Sequence, residues 1–553
     1  MRNRFLGLAC LGATLVVMIF GGRATVAQQE QGPEGMSMRK MMMSALTLIV
    51  ASGGTSVPGR ATQAQTAPSG AAAPRTTLLA APSDRLADAL LEWPLPPGEQ
   101  AYGKIDGKHL HQYVEEQAAI SRRYRDQGHP KFWGRVIGSS ADAESAEWLA
   151  NKFRPIGMSD VRIQPLDLSP QWFPNQWDVT VTGGGKTITL DSAQPDYRAA
   201  ALPPGGIDVE AVYAGLGSEA DFVGKDVKGK AVFTYTMLGL RDENAVKRAD
   251  GKDAAAIFEV DMLPGNMRYQ AYPSNTRAPA FTVGGDDGLA VRDLVASLPA
   301  GETARVKATL DVQMIPNLKT ALVWGTLPGA TDETIYIVAH RDGWFDASGD
   351  NASGVAAMIG LAEYYSRIPQ AERRRTLVFI GLDGHHNTGP GSTVGGVWLN
   401  DPANKAKLFA KTALSINCEH PSTIQTYVRP LYLAGDVLRW SNMYMAQQWY
   451  SGGASRPELT AIAVKAFREF GVPLLTDPNP RPPAGDLGRL YCFTPGVATS
   501  EFFHYFHTDH ETPDTVPWTG LQATTRAYAK IIDKVNKRPL STFQRPEEPA
   551  PTP

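Results

Sequence analysis

Cysteine is scarce. The 553-residue chain has three. Cys10 lies in an N-terminal apolar stretch, so only Cys418 and Cys492 remain. That excludes a disulfide framework; the two either pair or sit as buried free thiols. Charge of one sign is also missing. The balance of 54 Lys and Arg against 56 Asp and Glu gives a net charge of −2, which gives no footing for nucleic-acid binding. The two N-terminal apolar runs are short for a bilayer span, so no integral membrane span is expected; an anchor is their alternative reading. Histidine is rare as well, at ten residues, but its placement is uneven. Glycine and proline, at 53 and 41, are plentiful and fit long loops. The length suits two or three domains.

The N-terminus holds two signal-like stretches in series. Met1-Arg2-Asn3-Arg4 leads into an apolar run through Phe20, with small residues at Thr25-Val26-Ala27. Met38-Arg39-Lys40 then leads into residues 41–51, followed by Ala61-Thr62-Gln63-Ala64. Residues 1–64 are therefore expected to be an export signal region, with the true start at Met36 or Met38 and the mature protein periplasmic or extracellular. Residues 65–100 are expected to be a disordered linker, rich in Ala, Pro, Ser and Thr over 65–85.

The rest is organised around Val338 to Gly354, VAHRDGWFDASGDNASG. Thr334 to Val338 reads as a buried strand that delivers His340 at its carboxyl end, where open α/β sheets form ligand sites. His340 and Asp342, two apart on an extended chain, point the same way. Asp350 closes the loop before a helix of small residues. The pattern suits a divalent cation or a plain strand-to-helix turn with a capping Asp. Three further stretches weigh in. Arg375 to Leu382 is a second buried strand, ending in Asp383-Gly384-His385-His386. Ser415 to His420 ends an apolar run with Cys418-Glu419-His420. The last runs from His504 through His507 and His510 to Asp514. His340, His385, His386, His420, His504, His507 and His510 all fall in these four stretches.

On these residues the chain resembles the co-catalytic zinc aminopeptidase and glutamate carboxypeptidase family, from about Ile120 to Val535. His340-Arg341-Asp342-Gly343-Trp344 resembles the carboxypeptidase branch's first metal motif, and the ten-residue step to Asp350 matches its spacing. The resemblance implies two zinc ions, with Cu or Ni as alternatives. Asp350 would bridge them and Asp342 would orient the first ligand His. One ion would take His340, Asp350 and Glu419, where the family usually has Asp. The other would take Asp350, His386 and His507, the latter in Phe-His-Thr-x-x-Glu-Thr. There are departures. His385-His386 stands where the family has two Glu residues, a general base and a ligand. The implied base is thus His385 and the implied ligand His386. Phe506 stands where a Tyr commonly helps stabilise the tetrahedral intermediate. His420, His504 and His510 are alternative ligands.

The implied fold is α/β. A mixed central sheet flanked by helices, of the zinc aminopeptidase and phosphorylase–hydrolase type, carries an inserted β-rich protease-associated domain. The catalytic domain is expected over 101–195 and 313–540, the insertion over 196–312, and a disordered tail over 541–553. Residues 142–153 have helical spacing, with Ala146, Leu149 and Phe153 on one face. Residues 161–166, 318–327 and 412–416 read as strands, and 355–365, 457–470 and 519–535 as helices. Arg135 to Ser139 resembles the family's Gly-Ser entry motif. The aromatics of 440–450 line either core or a substrate pocket.

The function these readings favour is a secreted metal-dependent hydrolase of a peptide or other small amide. The alternative is a catalytically inactive member that acts as a binding protein, as in the transferrin-receptor branch. A single-zinc acyltransferase of the glutaminyl-cyclase type fits less well, because positions for two ions are kept. The sequence leaves oligomeric state open.

Overall fold

The computed structural model describes residues 92–236, 242–261, 263, 265–388, 394–430, 438–444, 448–450, 456–474, 486, 494–500, 503 and 505–543. The expected export signals, linker residues 65–91, Cys492, His504 and tail residues 544–553 lie outside them. Linker residues 92–100 are described, and there the Trp93 indole donates to the Glu469 carbonyl at 3.1 Å.

The chain enters through α1 (Gly107–Asp126), capped by Asp106, whose carboxylate accepts from the Lys108 amide. Then come β1 (Gly134–Arg135), α2 (Ser140–Phe153) and β2 (Ser159–Asp167). Ala146, Leu149 and Phe153 of α2 are buried, the face expected from their spacing.

A sheet of eight strands follows. It contains β3 (Gln171–Gly183), β4 (Lys186–Thr189), β5 (Gln194–Pro195), β6 (Ile207–Tyr213), β7 (Ala231–Tyr235), β8 (Ala256–Val260), β9 (Ala280–Val283) and β10 (Arg305–Ile315). Its spatial order is β4-β3-β10-β6-β7-β8-β9-β5. Helix α3 (Glu243–Gly251) joins the parallel strands β7 and β8, and α4 (Gly285–Ser297) leads from β9 to the oppositely directed β10. The rings of Phe233, Phe258 and Phe281 stack in series, at 4.8 and 5.1 Å between centroids, through its middle. The insertion expected at 196–312 falls within this sheet, but the sheet is larger. Residues 171–195, expected in the catalytic part, belong to it because β3 pairs with β10 from Gln171↔Ile315 to Thr182↔Arg305.

The second sheet is mixed. It adds β11 (Lys319–Leu327), β12 (Thr334–His340), β14 (Thr376–Leu382), β15 (Thr412–Cys418), β18 (Gln448–Tyr450) and β19 (Gly496–Ser500) to β2, in the order β18-β19-β15-β12-β14-β11-β2. Four of its five inner strands, β14, β12, β15 and β19, are parallel, so their carboxyl ends lie at one edge. The short β13 (Gly343–Trp344) pairs with β1, and β16 (Ile424–Pro430) forms a hairpin with β17 (Leu438–Tyr444). Helix α5 (Gly354–Ser366) is buried all round, as its apolar and small residues demand. It packs with α1 and α8 (Trp518–Asn536) in one core. Helix α6 (His385–Thr388) follows β14, and α7 (Pro457–Glu469) follows β18. Among the described residues no helix is long and apolar enough to cross a membrane.

Candidate metal centre

Four inner strands bring their ends to one place. β12 ends at His340, α6 begins with His385 and His386 just past β14, Glu419 and His420 follow β15, and His507 comes in the turn after β19. All these side chains are buried. Asp350 lies in the middle, in the irregular turn Ser348–Ser353 that precedes α5.

Asp350 divides the donor atoms into two groups. On its Oδ1 side stand His340 Nε2 and His420 Nε2, each at 2.9 Å, with Glu419 Oε1 3.8 Å from His340 Nε2. On its Oδ2 side stand His386 Nε2 at 2.9 Å and His507 Nε2 at 3.0 Å. Ligands about 2.0 Å from a tetrahedral zinc are ~3.3 Å apart, and these spacings bracket that value. His340 Nε2 and Asp350 Oδ1 are buried yet make no hydrogen bond. Lone pairs that converge without a donor between them suit a cation. Borderline-soft imidazole with carboxylate suits zinc.

The surroundings hold these atoms in place. Asp342 lies behind two imidazoles: its Oδ1 is 3.4 Å from His340 Nδ1 and its Oδ2 3.0 Å from His386 Nδ1. It also accepts the His385 and His386 amides. A carboxylate on Nδ1 fixes the tautomer that presents Nε2. Glu511 ties two loops together through their backbones, accepting the Asp350 amide at 2.6 Å and the His507 amide at 2.9 Å. Asn351 accepts the His420 amide and donates to the Cys418 carbonyl. The Arg135 guanidinium is fully buried and donates to the carbonyls of Arg341, Asp346 and Ala347, pinning the loop after β12. Arg341 reaches the other way, to Asp142 at 2.6 Å. Phe345, Ala347, His420 and His507 all have positive φ, local strain of the kind that collects at functional sites.

The eight-stranded sheet's polypeptide also reaches the centre. Tyr269 bridges to Thr508, the Gln270 amide donates to the His507 carbonyl, and the Tyr272 ring stands edge-on to His507 at 4.9 Å. Trp344 packs against both His386 and His507.

Charge is arranged to match. Burial opposes ionisation of Asp350 and Asp342, but the facing imidazoles outweigh it and hold both carboxyls well below their usual range. Burial likewise lowers His386, but Asp350 and Asp342 outweigh it and carry it up to about 9. His507 goes the other way: burial takes it down to about 3. Burial and the charge of Asp350 push Glu511 up to about 8.

The sequence-expected residues His340, Asp342, Asp350, His385, His386, Glu419 and His507 thus lie together. His385 stacks on His340 at 4.4 Å, with Nδ1 3.4 Å from Asp486 Oδ1 and Nε2 3.9 Å from Glu419 Oε1. His420, ranked among the alternatives, lies inside the cluster, whereas His510 lies apart, against Asp509. The implied role of Asp342 is broader than expected, since it serves His386 as well as His340. Sequence reasoning gave no role to Glu511, Asn351, Asp486 or Tyr272. Only Glu511 carried a signal, as the Glu of Phe-His-Thr-x-x-Glu-Thr. Cys418 is a buried free thiol, and Cys492 lies outside the described residues.

Residues 323–419, from β11 to Glu419, match the model of peptidase family M28. Leucine aminopeptidase 2 of Arthroderma otae is 24% identical over 289 residues, 50% of this chain and 54% of that protein. A probable glutamate carboxypeptidase VP8 of Zea mays is 24% identical over 40% of this chain and 38% of its own. The chain thus spans about half the length of the leucine aminopeptidase it matches. The fold is shared with a zinc aminopeptidase from Bacillus subtilis, at TM-score 0.54 and 16% identity over 82% of this chain and all of that one. It is also shared with a peptidase M28 precursor from Shewanella amazonensis, at TM-score 0.60 and 16% identity over 84% of this chain and all of that one. The segment that matches peptidase family M28 thus carries His340, Asp350, His385, His386 and Glu419, and the fold around it is the one shared with these peptidases.

Proposed function

We propose that this protein is an exported metal-dependent hydrolase that cuts a peptide or other small amide bond at a site holding two divalent cations, most naturally zinc. The observation that carries this is the pair of converging donor groups on the two oxygens of Asp350. His340, Asp350 and Glu419 would hold one cation; Asp350, His386 and His507 the other. When bound, the cations polarise the scissile carbonyl and acidify the attacking water.

The protein's own groups do the rest. Asp342 keeps His340 and His386 turned with Nε2 inward. His385 takes the water's proton on Nε2 and returns it to the departing amine nitrogen, the role of a general base and then acid. Asp486, beside Nδ1, orients that ring, the third member of a nucleophile–base–orienter chain. Tyr272, Trp344 and Phe506 wall the centre with aromatic surface and exclude bulk water. The eight-stranded sheet is read as the protease-associated module, clamping the His507 turn. The two signal-like stretches support export; N-terminal sequencing of secreted material is expected to begin near Ala64, and recovery of residues 1–40 on a cytoplasmic protein would refute it.

Metal analysis with hydrolysis of aminoacyl and acyl-amino-acid amides, before and after chelation, tests the reading. Chelator-sensitive hydrolysis is expected. A protein that holds its metals and hydrolyses nothing across both panels would instead be a binding protein. The absent Glu pair favours that second reading.

A further inference from the structure

We propose that His420 makes the two cation positions unlike: the Oδ1 side of Asp350 is a closed four-ligand site, and the Oδ2 side alone keeps a position open to exogenous ligands. This rests on the metal reading above and assigns a role to a residue outside the expected ligand set.

The argument begins with the backbone. β15 ends at Cys418, and successive side chains of an extended strand point to opposite faces. Glu419 and His420 should therefore diverge. They do not, because His420 turns into the left-handed region, with φ at 42°. The Asn351 side chain holds the turn by accepting the His420 amide at 3.2 Å. Both side chains consequently enter one site. His340, Asp350, Glu419 and His420 each offer one atom, all within 4.8 Å of one another, and all four residues are buried. Glu419 is further fixed by the Asn417 amide, which donates to its Oε2 and leaves Oε1 facing His340.

Ligand number then separates the two sides. A zinc site with four protein ligands is closed and structural, whereas one with three keeps a place for water or substrate. Among the described residues, four side chains converge on the Oδ1 side and three, Asp350, His386 and His507, on the Oδ2 side. His385 does not add a fourth there; its Nε2 faces Glu419.

Cobalt(II) makes the difference visible, since a tetrahedral field without a centre of symmetry gives strong visible bands. The full chain, stripped with chelator, is titrated with cobalt, with azide as the competing ligand. Two ions are expected to bind, one with intense bands that azide leaves unchanged and one with bands that azide shifts. In His420→Asn, with folding checked by circular dichroism, the azide-insensitive component is expected to weaken by about tenfold or more or to become azide-sensitive. In His386→Ala only the azide-sensitive component should go. A wild-type protein whose two ions both respond to azide, or both ignore it, overturns the inference whatever the variants do. So does a folded His420→Asn variant with both components unchanged; in either case the two-cation reading survives. No cobalt uptake by the wild type overturns both.

Discussion

At the residue scale the centre hangs on Asp350, whose two oxygens face different donor groups. Asp350→Ala is expected to lose both metals, together with the rise in thermal midpoint that metal gives by binding the native state. Metal content unchanged in that variant would remove the basis of the assignment. His385 and His386 are neighbours with opposite predictions. His385→Ala should cut kcat by roughly a hundredfold or more with metal content near normal, while His386→Ala should deplete one metal. If His385→Ala strips a metal instead, the two roles are exchanged. Most of this was legible, because His340, Asp350, His386 and His507 lie at strand ends or in short motifs. The place of His420 was not, because it depends on one left-handed residue. Asp486 and Tyr272 were not, because nothing local links them to ligands far along the chain.

At the scale of elements, the buried strands β12, β14 and β15 and the helices α2, α5, α7 and α8 were readable as apolar runs and periodic faces. The membership of β3 was not. Its partner β10 lies beyond all the other strands of the eight-stranded sheet, and no local signal says which sheet a strand joins. One element contact is tight enough to test. Gly354 starts α5 against β15, where a Cβ would meet the Cys418 carbonyl oxygen and the Asn351 side chain. Gly354→Ala should therefore destabilise the protein by about 1–3 kcal/mol through overpacking. It should also weaken metal binding, because the displaced Asn351 positions His420. A variant with wild-type melting and metal affinity would show that α5 has slack here.

At the scale of the whole molecule, the buried centre sets how the metal-free protein responds to pH. His386 is raised from 6.5 to about 9 and Glu511 from 4.5 to about 8. Both therefore bind more protons folded than unfolded. The stability they contribute is complete below their unfolded values and is lost as pH rises through 8 to 9. Asp350 and Asp342 are lowered, so their contribution is present above 3.8 and lost in stronger acid. The chelated protein should melt highest on the acid side of neutrality and progressively lower toward pH 9. Metal displaces the His386 proton, so the stabilisation it adds should grow with pH up to about 9. Differential scanning fluorimetry with and without zinc measures both curves; a metal-free midpoint that climbs toward pH 9 would contradict the assigned shifts.

The clamp on the His507 turn also governs the order of assembly. A chain that emerges from its N-terminus presents Tyr269 first, then His340 and Asp350, and only much later the turn with His507 and Glu511 that meets them all. Until that turn arrives, the Asp350 amide lacks its acceptor and one donor group lacks a member. The nascent chain therefore cannot complete the Oδ2-side group until that turn arrives. If it is exported unfolded, it should cross the membrane without the cation of the Oδ2 side and take that metal from the compartment it enters, not from the cytoplasm that made it.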